Sequence, residues 1–424
     1  MLEPPMESKR LDDWLDWLEQ LDPSRIELGL DRIRAVYEKL PQLSPNTKVV
    51  TIAGTNGKGS TLSATQSAAV ALSKSLVSFS SPHLLRYNER IQIDGQPVHD
   101  DQLLSVFRKV AEAQKGVFLS YFEYGALAAL LIAAEQQPDL LLLEVGLGGR
   151  LDAVNIIDAD IVVLTAIGLD HMDWLGSDLE SIATEKCGVL RENIPVVLAS
   201  PNMPKTVYQM TDQMSATRYA WGQDFLITNS EGAAELRIGH QNIRLENLAL
   251  HPQSLASAAM VIELLWPGNL QIIASALESA ELVGRYQKLQ LGSRELILDV
   301  AHNAMSLSHL CQRIKKEGLF EVDLAFSLMQ DKDCSDAIRL LKPIVKSWKL
   351  LRLDTPRAFQ PEEIAARLVE QGIQDIEILD LADSAALNQL FMAKSEQIPL
   401  LVTGSFYTVS AFLELAQEEV SSEK

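Results

Sequence analysis

A glycine-rich turn at residues 54–60, Gly-Thr-Asn-Gly-Lys-Gly-Ser, has the residue types of a phosphate-binding loop. Its glycines let backbone N–H groups approach a polyphosphate, and the helix predicted over 60–72 would add the positive end of its dipole. Lys58 would supply a positive charge, and the Ser60 hydroxyl would hold magnesium. The spacing departs from GxxxxGK[ST], because Ile52 replaces the first glycine and a glycine follows the lysine. An ordinary strand-to-helix turn is the alternative interpretation.

Two further polar residues follow apolar runs that are typical of strands buried in a parallel sheet. Glu144 ends the run 139–144, and His171 lies shortly after the run 161–165. At strand ends beside a phosphate loop, an acid can hold Mg²⁺ or its waters, and an imidazole can bind a second metal. The competing interpretations are a solvated carboxylate for Glu144 and a structural histidine for His171.

The strand predicted over 76–79 leads directly into Ser81 and His83. In parallel α/β sheets such strand ends form the ligand crevice, so both side chains are candidates for the site. Ser-Pro is also a common way for a strand to end. The flexible loop 146–152 directly follows the predicted strand at 139–144, where it is placed to contact a second substrate.

The elements that must position these residues are predicted from periodicity. Alternation of strands with helices predicts an α/β fold. A hairpin is predicted at 90–96, and 221–250 is a polar stretch rich in strands. Helices are predicted at 11–21, 100–114, 121–135, 177–190 and 251–265, of which the fourth has a serine cap at Ser177.

The C-terminal part of the chain is predicted to be a separate α/β unit. The predicted domains are 1–286 and 287–424, with the boundary near Gln287. Asp299 and His302 end the first strand of the second domain, where they could reach a nucleotide or an acyl group across a cleft between the domains. Its strands are predicted at 295–299, 324–328, 348–353 and 400–403.

The composition is that of an ordinary globular protein, with 424 residues of which 47% are hydrophobic and 22% charged. A net charge of -20 disfavours nucleic acid as a partner, because phosphate backbones bind clusters of Lys and Arg. Anionic ligands must be attracted by local groups instead. Three cysteines without a CxxC pair indicate a reducing compartment. Without a signal peptide or an apolar run of about 18 residues, a cytoplasmic protein that does not enter membranes is predicted.

Six motifs in chain order resemble those of the folylpolyglutamate synthase family of the Mur ligase superfamily, and most closely its bifunctional bacterial members, which are also dihydrofolate synthases. The resemblance covers nearly the whole chain. It implies a P-loop, Mur-ligase-like ATP-binding domain followed by a C-terminal Rossmann-like glutamate-ligase domain. The motifs are residues 54–60, Ser-Ser-Pro-His-Leu at 80–84, 144–152, Leu-Asp-His at 169–171, Glu-Lys at 185–186 and Asp-Val-Ala-His-Asn at 299–303.

The resemblance implies an ATP-dependent ligase that joins L-glutamate to 7,8-dihydropteroate and extends reduced folates with γ-linked glutamates. A carboxylate is a poor acyl donor, so ATP first phosphorylates it and the glutamate amine then displaces phosphate. A monofunctional folylpolyglutamate synthase and a murein-precursor ligase are the alternatives among ligases. A nucleotide-operated switch or motor is the alternative outside that class. A monomer is expected.

The resemblance also assigns residues to ATP and to two Mg²⁺ ions. Ser60 and Glu144, with Ser81, would serve the nucleotide-associated ion, and His171 would serve the second beside Glu144. Lys186 resembles the family's carbamylated lysine, in which an amine that has taken up CO₂ becomes an anionic ligand. The residues expected to contact ATP are Thr55, Asn56, Gly57, Lys58, Gly59, Ser60, Leu255, Arg285 and Asp299. Those with an implied catalytic role are Lys58, His171, Lys186, Asp299 and His302.

Three segments resemble the pterin-binding elements of the members that use dihydropteroate. Phe122 would stack on the pterin and Asp152 would accept its N–H donors. A phenylalanine in the core is the alternative for Phe122, and composition alone favours a break between two helices at Gly29. The segments are Leu28, Gly29 and Leu30, then Ser120, Tyr121 and Phe122, then Leu151, Asp152 and Ala153.

The chain departs from the family pattern at Leu255, where family members usually carry an asparagine that helps to hold the nucleotide. A leucine side chain neither donates nor accepts a hydrogen bond. The loss of one neutral hydrogen bond should cost about 0.5–1.5 kcal/mol, which would weaken nucleotide binding without abolishing ligation. Ala304 and Met305 also replace the commoner Pro-His.

Overall fold

The computed structural model describes residues 3–21, 29–230, 233–291, 294–380 and 398–422. The chain divides into two compact units, Met1–Glu281 and Leu282–Lys424. This division falls five residues before the boundary predicted at 286/287.

The first unit is built on a large, mostly parallel sheet. Its strands are β1 (Lys48–Ala53), β2 (Leu76–Phe79), β3 (Ile91–Ile93), β4 (Gln96–Pro97), β5 (Leu140–Glu144), β6 (Ile161–Leu164), β7 (Pro195–Leu198) and β8 (Thr217–Ala220). They lie in the order β4-β3-β2-β5-β1-β6-β7-β8, and β3 and β4 form an antiparallel edge. Every residue of β5 is buried, because parallel strands β1 and β2 flank it and helices cover such sheets.

Helices surround this sheet. They are α1 (Leu11–Glu19), α2 (Asp31–Tyr37), α3 (Lys58–Ala71), α4 (Asp100–Gln114), α5 (Tyr121–Gln136), α6 (Met172–Leu175), α7 (Leu179–Cys187), α8 (Lys205–Gln213), α9 (Pro252–Leu265) and α10 (Leu270–Glu278). Short 3₁₀ helices cover Tyr87–Arg90 and Ala153–Ile156. The small side chains of α3 let it pack closely against α9 and α10.

Aromatic rings hold α1, α4 and α5 together in the core of the first unit. Trp14 has no exposed surface, and its ring centroid lies 5.9 Å from that of Trp17 and 6.0 Å from that of Phe107. Tyr124 of α5 completes the group, 5.4 Å from Trp17 and 5.6 Å from Phe107. Edge-on contacts of this kind stabilise a core beyond the area that they bury.

A separate antiparallel sheet in the first unit consists of β9 (Phe225–Ser230), β10 (Ala233–Ile238) and β11 (Gln241–Leu245). It confirms the strand-rich stretch predicted between 221 and 250. Helix α9 packs against β9 and also against α3, so this small sheet is connected to the helix that follows the phosphate loop.

The second unit has a sheet in the order β12-β13-β17-β14-β15-β16, parallel except for the β12 edge. Its core contains Phe326 and Trp348, whose ring centroids are 6.1 Å apart. The strands are β12 (Gln287–Leu291), β13 (Arg294–Leu298), β14 (Val322–Phe326), β15 (Val345–Arg352), β16 (Ile376–Asp380) and β17 (Leu400–Thr403). The helices are α11 (Ala304–Lys316), α12 (Cys334–Leu341), α13 (Pro361–Glu370) and α14 (Phe406–Ser422).

The predicted α/β fold is confirmed, and one helix start was wrongly predicted. Helix α7 begins at Leu179, and its cap is Asp178 rather than Ser177, because the Asp178 carboxylate accepts the Ser181 N–H at 2.9 Å. It ends at Cys187 instead of Leu190. Across the part of the chain that the structure describes, no helix is long and apolar enough to cross a membrane.

Candidate active site

The predicted phosphate loop connects β1 to α3. Gly54 has φ +149° and Gly57 has φ +92°, both in the region that favours glycine. A Cβ at Gly54 would overlap the side chain of Thr165, which follows β6, so glycine is required there for a second reason. Gly59, in contrast, lies within the first turn of α3.

The loop is fastened to the segment that follows β6. The N–H groups of Thr55 and Asn56 both donate to the Ala166 carbonyl, at 2.7 and 3.3 Å. The Thr55 hydroxyl accepts the Gly168 N–H at 3.0 Å and lies 3.1 Å from the Gly168 carbonyl. These bonds fix the loop against the neighbouring strand end.

Two lysine side chains converge on one carbonyl oxygen of this loop. The Nζ of Lys58 lies 3.2 Å from the Gly54 oxygen, and the Nζ of Lys186 lies 3.0 Å from the same atom. Lys186 is on α7 and only 4% exposed. Burial, and then the charge of Lys58, lower the pKa of Lys186 to about 7, although the carboxylates of Asp170 and Asp152 oppose the shift.

Glu144 is the last residue of β5 and is 5% exposed. It pairs in register with Ile52, two residues before the phosphate loop. On its other side, the Ser81 N–H donates to the Glu144 Oε2 at 3.4 Å. Glu144 and Ser81 are therefore at the same edge of the sheet as the loop, as predicted.

His171 follows β6 by seven residues and starts α6. Its backbone has φ 51° and ψ 40°, and its N–H donates to Asp170 Oδ1 at 2.9 Å. Because Gly168 is bonded to Thr55, the segment that carries His171 leaves the sheet beside the phosphate loop. Asp170 was not predicted as a site residue, although the charge of its carboxylate partly opposes the lowering of the Lys186 pKa.

The donor set suits a hard divalent cation. Hydroxyl and carboxylate oxygens from Ser60, Ser81 and Glu144 are ligands that Mg²⁺ and Mn²⁺ accept, and His171 adds an imidazole. Lys186 fits such a set only as a carbamate, since an ammonium group would repel the ion.

Asp152 organises the loop that follows β5. Its Oδ2 accepts the N–H groups of Gly146 and Leu147, at 3.0 and 2.9 Å, and its Oδ1 accepts the Val154 N–H at 3.0 Å. It is 4% exposed, and burial raises its pKa to about 6 against the effect of these bonds. A carboxylate offers about four acceptor positions, and these bonds use three of them.

Phe122 is partly exposed and packs on the same loop. A Cβ at Gly146 would lie 2.6 Å from its ring, and the Phe79 ring centroid is 5.5 Å away. Its two neighbours are buried: Ser120 accepts the Glu123 N–H and caps α5, and Tyr121 is 8% exposed. Of these three predicted pterin contacts, Phe122 presents the most surface.

The three predicted pterin segments come together. Helices α2 and α5 and the 3₁₀ helix Ala153–Ile156 pack against one another, and each predicted segment lies at the N-terminal end of one of them. Gly29 has φ +138° and is separated from the start of α2 by Leu30. Leu28 lies outside the described residues. Leu151 is partly exposed, and Ala153 is 5% exposed.

His83 holds an arginine at the neighbouring strand end. Its Nδ1 accepts the Arg90 Nε–H at 2.8 Å, and the Arg90 guanidinium lies over the rings of Tyr121 and Tyr87, at 5.0 and 5.3 Å. Burial, and then the charge of Arg90, lower the pKa of His83 to about 4. His83 is therefore neutral at physiological pH and acts as an acceptor.

Leu255 is in a different environment from the one predicted. It lies within α9 and has no exposed surface. Its side chain is therefore not accessible for contact with a ligand in this conformation. The hydroxyl of the adjacent Ser254 lies 3.5 Å from the Gly57 carbonyl oxygen, so this residue of α9 does reach the loop.

In the second unit, Asp299 accepts the N–H groups of Tyr286 and Ala301, each at 2.9 Å. Burial raises the pKa of Asp299, and the charge of Arg285 opposes this. The His302 Nδ1 lies 2.8 Å from the Val300 carbonyl oxygen. Because a carbonyl oxygen can only accept a hydrogen bond, Nδ1 carries the proton and donates it.

Phe406 links two of the predicted residues in this unit. Its ring lies 5.1 Å from the Arg285 guanidinium and its centroid 6.1 Å from that of His302. Phe406 was not predicted as a site residue, although its position directly after the end of β17 was a signal for it.

Known proteins similar to this chain share its whole length. A dihydrofolate synthase/folylpolyglutamate synthase of Escherichia coli K12 is 36% identical over 429 residues, which cover 99% of each chain. The solved structure of E. coli FolC in complex with DHPP and ADP has a TM-score of 0.90 at 34% identity and covers 98% of this chain and 100% of that one.

A bifunctional folylpolyglutamate synthase/dihydrofolate synthase from Yersinia pestis, solved with AMPPNP and Mn ion, has a TM-score of 0.89 at 33% identity. The match covers 98% of this chain and 100% of that one. No protein-family model matches the sequence.

Gly149 is expected to be essential for the placement of Lys186. A Cβ at Gly149 would lie 2.8 Å from the Lys186 carbonyl oxygen and 2.9 Å from that of Glu185, and backbone atoms cannot yield easily. We expect Gly149→Ala to lower the free energy of unfolding by about 1–3 kcal/mol and to reduce kcat as α7 moves, measured by urea unfolding and ligation assays.

Gly222→Ala is the matched control, because Gly222 has φ +84° but no atom within 4 Å of an added Cβ. It should cost about 1–2 kcal/mol of stability through backbone strain and leave kcat unchanged. Equal kcat for Gly149→Ala and the parent would show that the close packing on α7 does not matter for the site.

Proposed function

This chain belongs to the dihydrofolate synthase/folylpolyglutamate synthase family, and from that premise we propose how its own residues carry out the reaction. The protein is an ATP-dependent carbon–nitrogen ligase that adds L-glutamate to dihydropteroate and extends reduced folates with γ-linked glutamates. The observation that carries our assignment of residues is the convergence of Lys58 and Lys186 on the Gly54 carbonyl, beside the strand that ends in Glu144.

The reaction has two balanced steps. A carboxylate oxygen of the folate-type substrate takes the γ-phosphoryl group of ATP, which releases ADP and leaves an acyl phosphate. The amine of glutamate then attacks the acyl carbon, loses a proton and expels phosphate. Lys58 and the N–H groups of residues 57–60 would hold the phosphate chain, because this loop combines a positive charge with the N-terminal end of α3.

ATP and a divalent metal are the cofactors. When bound, the metal offsets the negative charges of phosphate and carboxylate as they approach. We assign Ser60, Ser81 and Glu144 to the ion that accompanies ATP, and His171 with Lys186 to a second ion beside Glu144. We also assign Thr55, Asn56, Gly57 and Gly59 of the loop to ATP binding, together with Arg285 and Asp299, and we assign a catalytic role to His302.

We propose that Lys186 is carbamylated. Because burial and the charge of Lys58 lower its pKa to about 7, far more of this amine is neutral at pH 7 than of an ordinary lysine with a pKa of 10.5. The neutral amine attacks the carbon of CO₂ and loses a proton. The product is an anion beside Lys58, which replaces the repulsion between two neighbouring ammonium groups with an attraction.

We assign the pteridine ring to the meeting point of α2, α5 and the 3₁₀ helix Ala153–Ile156. Phe122 would supply an aromatic face, and Asp152, which already accepts three N–H groups, would use its remaining acceptor position for the ring's N–H donors. Gly29 and Leu30, with Leu151 and Ala153, would complete the walls. We further propose that the protein works as a monomer in the cytoplasm.

The ligase assignment is tested by coupling of ATP use to glutamate incorporation. We expect phosphate release to need both an acceptor and L-glutamate, and each turnover to raise the mass of dihydropteroate or tetrahydrofolate by one glutamate. Equal phosphate release with and without these substrates would indicate a nucleotide-operated switch. Incorporation into tetrahydrofolate but not into dihydropteroate would indicate a monofunctional folylpolyglutamate synthase.

The carbamate is tested by replacing the lysine. Lys186→Ala should abolish ligation, because the anionic ligand is lost, and small carboxylates such as formate or acetate should restore part of the rate. Lys109→Ala is the control, since Lys109 is an exposed lysine paired with Glu135 and its loss should leave ligation unchanged. Full activity of Lys186→Ala would rule out the carbamate.

A further inference from the structure

A buried carboxylate lies directly beside the proposed pteridine site. Glu123, the third residue of α5, is 3% exposed. Its Oε2 accepts the Ser120 N–H at 2.7 Å, and its Oε1 accepts the Arg32 Nη2–H at 3.0 Å. In return the Ser120 hydroxyl accepts the Glu123 N–H at 3.3 Å. Both carboxylate oxygens are thus used, one within α5 and one in a bond to α2.

Capping of α5 does not require that residue 123 be charged. A capping box works equally well with glutamine at this position, because only an acceptor for the cap residue's N–H is needed. Burying a carboxylate costs several kcal/mol unless it is paired, so the negative charge is explained by its bond to Arg32. The side chain of Arg32 is 31% exposed and that of Glu123 only 4%, so Arg32 keeps contact with solvent while Glu123 depends on its partners.

This ion pair connects two of the proposed pteridine-binding segments. Arg32 is the second residue of α2, two positions after Leu30, and Glu123 directly follows Phe122. The apolar anchors of α2, which are Ile33, Val36 and Tyr37, all come after Arg32 in the chain. The ion pair therefore links the N-terminal end of α2 to the start of α5 beside Phe122, at a position that precedes these apolar anchors.

We propose that the Arg32–Glu123 pair is a positioning device that sets the spacing between the Gly29–Leu30 segment and Phe122, and so controls the affinity for the bicyclic ring of the acceptor. Neither residue contacts the reacting groups in this scheme. The proposal rests on the proposed function, since it takes the site beside Phe122 to be the one that binds dihydropteroate and reduced folates.

The test compares steady-state constants of Glu123→Gln with those of the parent. Glutamine keeps the capping bond to Ser120 but leaves Arg32 without its charged partner. We expect KM for dihydropteroate to rise about tenfold, which is a typical coupling for a contacting pair, while kcat and KM for ATP change less than about twofold. A thermal unfolding curve for each variant verifies that the first unit is folded.

Variants of Arg32 provide an independent test of the ion pair, which remains informative if Glu123→Gln does not fold. Arg32→Gln should raise KM for dihydropteroate as much as Glu123→Gln does, and the double variant should be no worse than either single one, because all three lack the same pair. Arg32→Lys keeps a positive charge and should recover most of the affinity.

Glu135→Gln is the matched control, because Glu135 lies on the same helix and its ion pair with Lys109 is exposed. It should leave all constants unchanged. An unchanged KM for dihydropteroate in both Glu123→Gln and Arg32→Gln, or equal losses of kcat with every substrate, would overturn the positioning role. If the parent itself fails to add glutamate to dihydropteroate, the proposed function is wrong and this inference falls with it.

Discussion

The Gly54 carbonyl oxygen, which accepts hydrogen bonds from two lysines, is the constraint on which the rest of the first unit depends. Both Nζ atoms lie within 3.2 Å of it, so two ammonium groups are close together in a largely buried place. Such an arrangement is stable only when one amine loses its proton or a negative group arrives. The geometry therefore favours either a neutral Lys186 or an anion beside the two lysines at this phosphate-binding turn.

Glycines make this closeness possible on both sides. A side chain at Gly54 would collide with Thr165, and one at Gly149 would collide with the backbone of α7, which carries Lys186. The loop and the helix can approach only because these Cβ atoms are missing. In a protein with a net charge of -20, this local concentration of N–H groups and lysines is what attracts polyphosphate against the average field.

The sequence was most informative where the signal was local. The phosphate loop was predictable from glycine spacing, and the strand ending in Glu144 from an unbroken apolar run, because both patterns reflect neighbours in the chain. The cap of α7 was missed since Ser177 and Asp178 are both good caps and only the backbone path selects one.

Other features depend on contacts between distant segments and were not predictable. The sequence on either side of Lys186 does not show that this lysine is buried beside Lys58. The prediction that Lys186 belongs to the site therefore rested on family resemblance. Asp152 was expected to face a ligand, yet most of its acceptor capacity serves the backbone of its own loop. Likewise, the Arg32–Glu123 pair joins residues 91 positions apart.

The hydrogen bonds between Thr55, Asn56 and the segment after β6 have a thermodynamic consequence. They are made entirely within the protein, so the neighbouring segment holds the backbone of the turn and binding does not have to freeze these residues. Ordering a flexible residue costs about 1–2 kcal/mol of conformational entropy, and a pre-shaped turn avoids that loss. More of the attraction between the turn and a triphosphate therefore contributes to the free energy of binding.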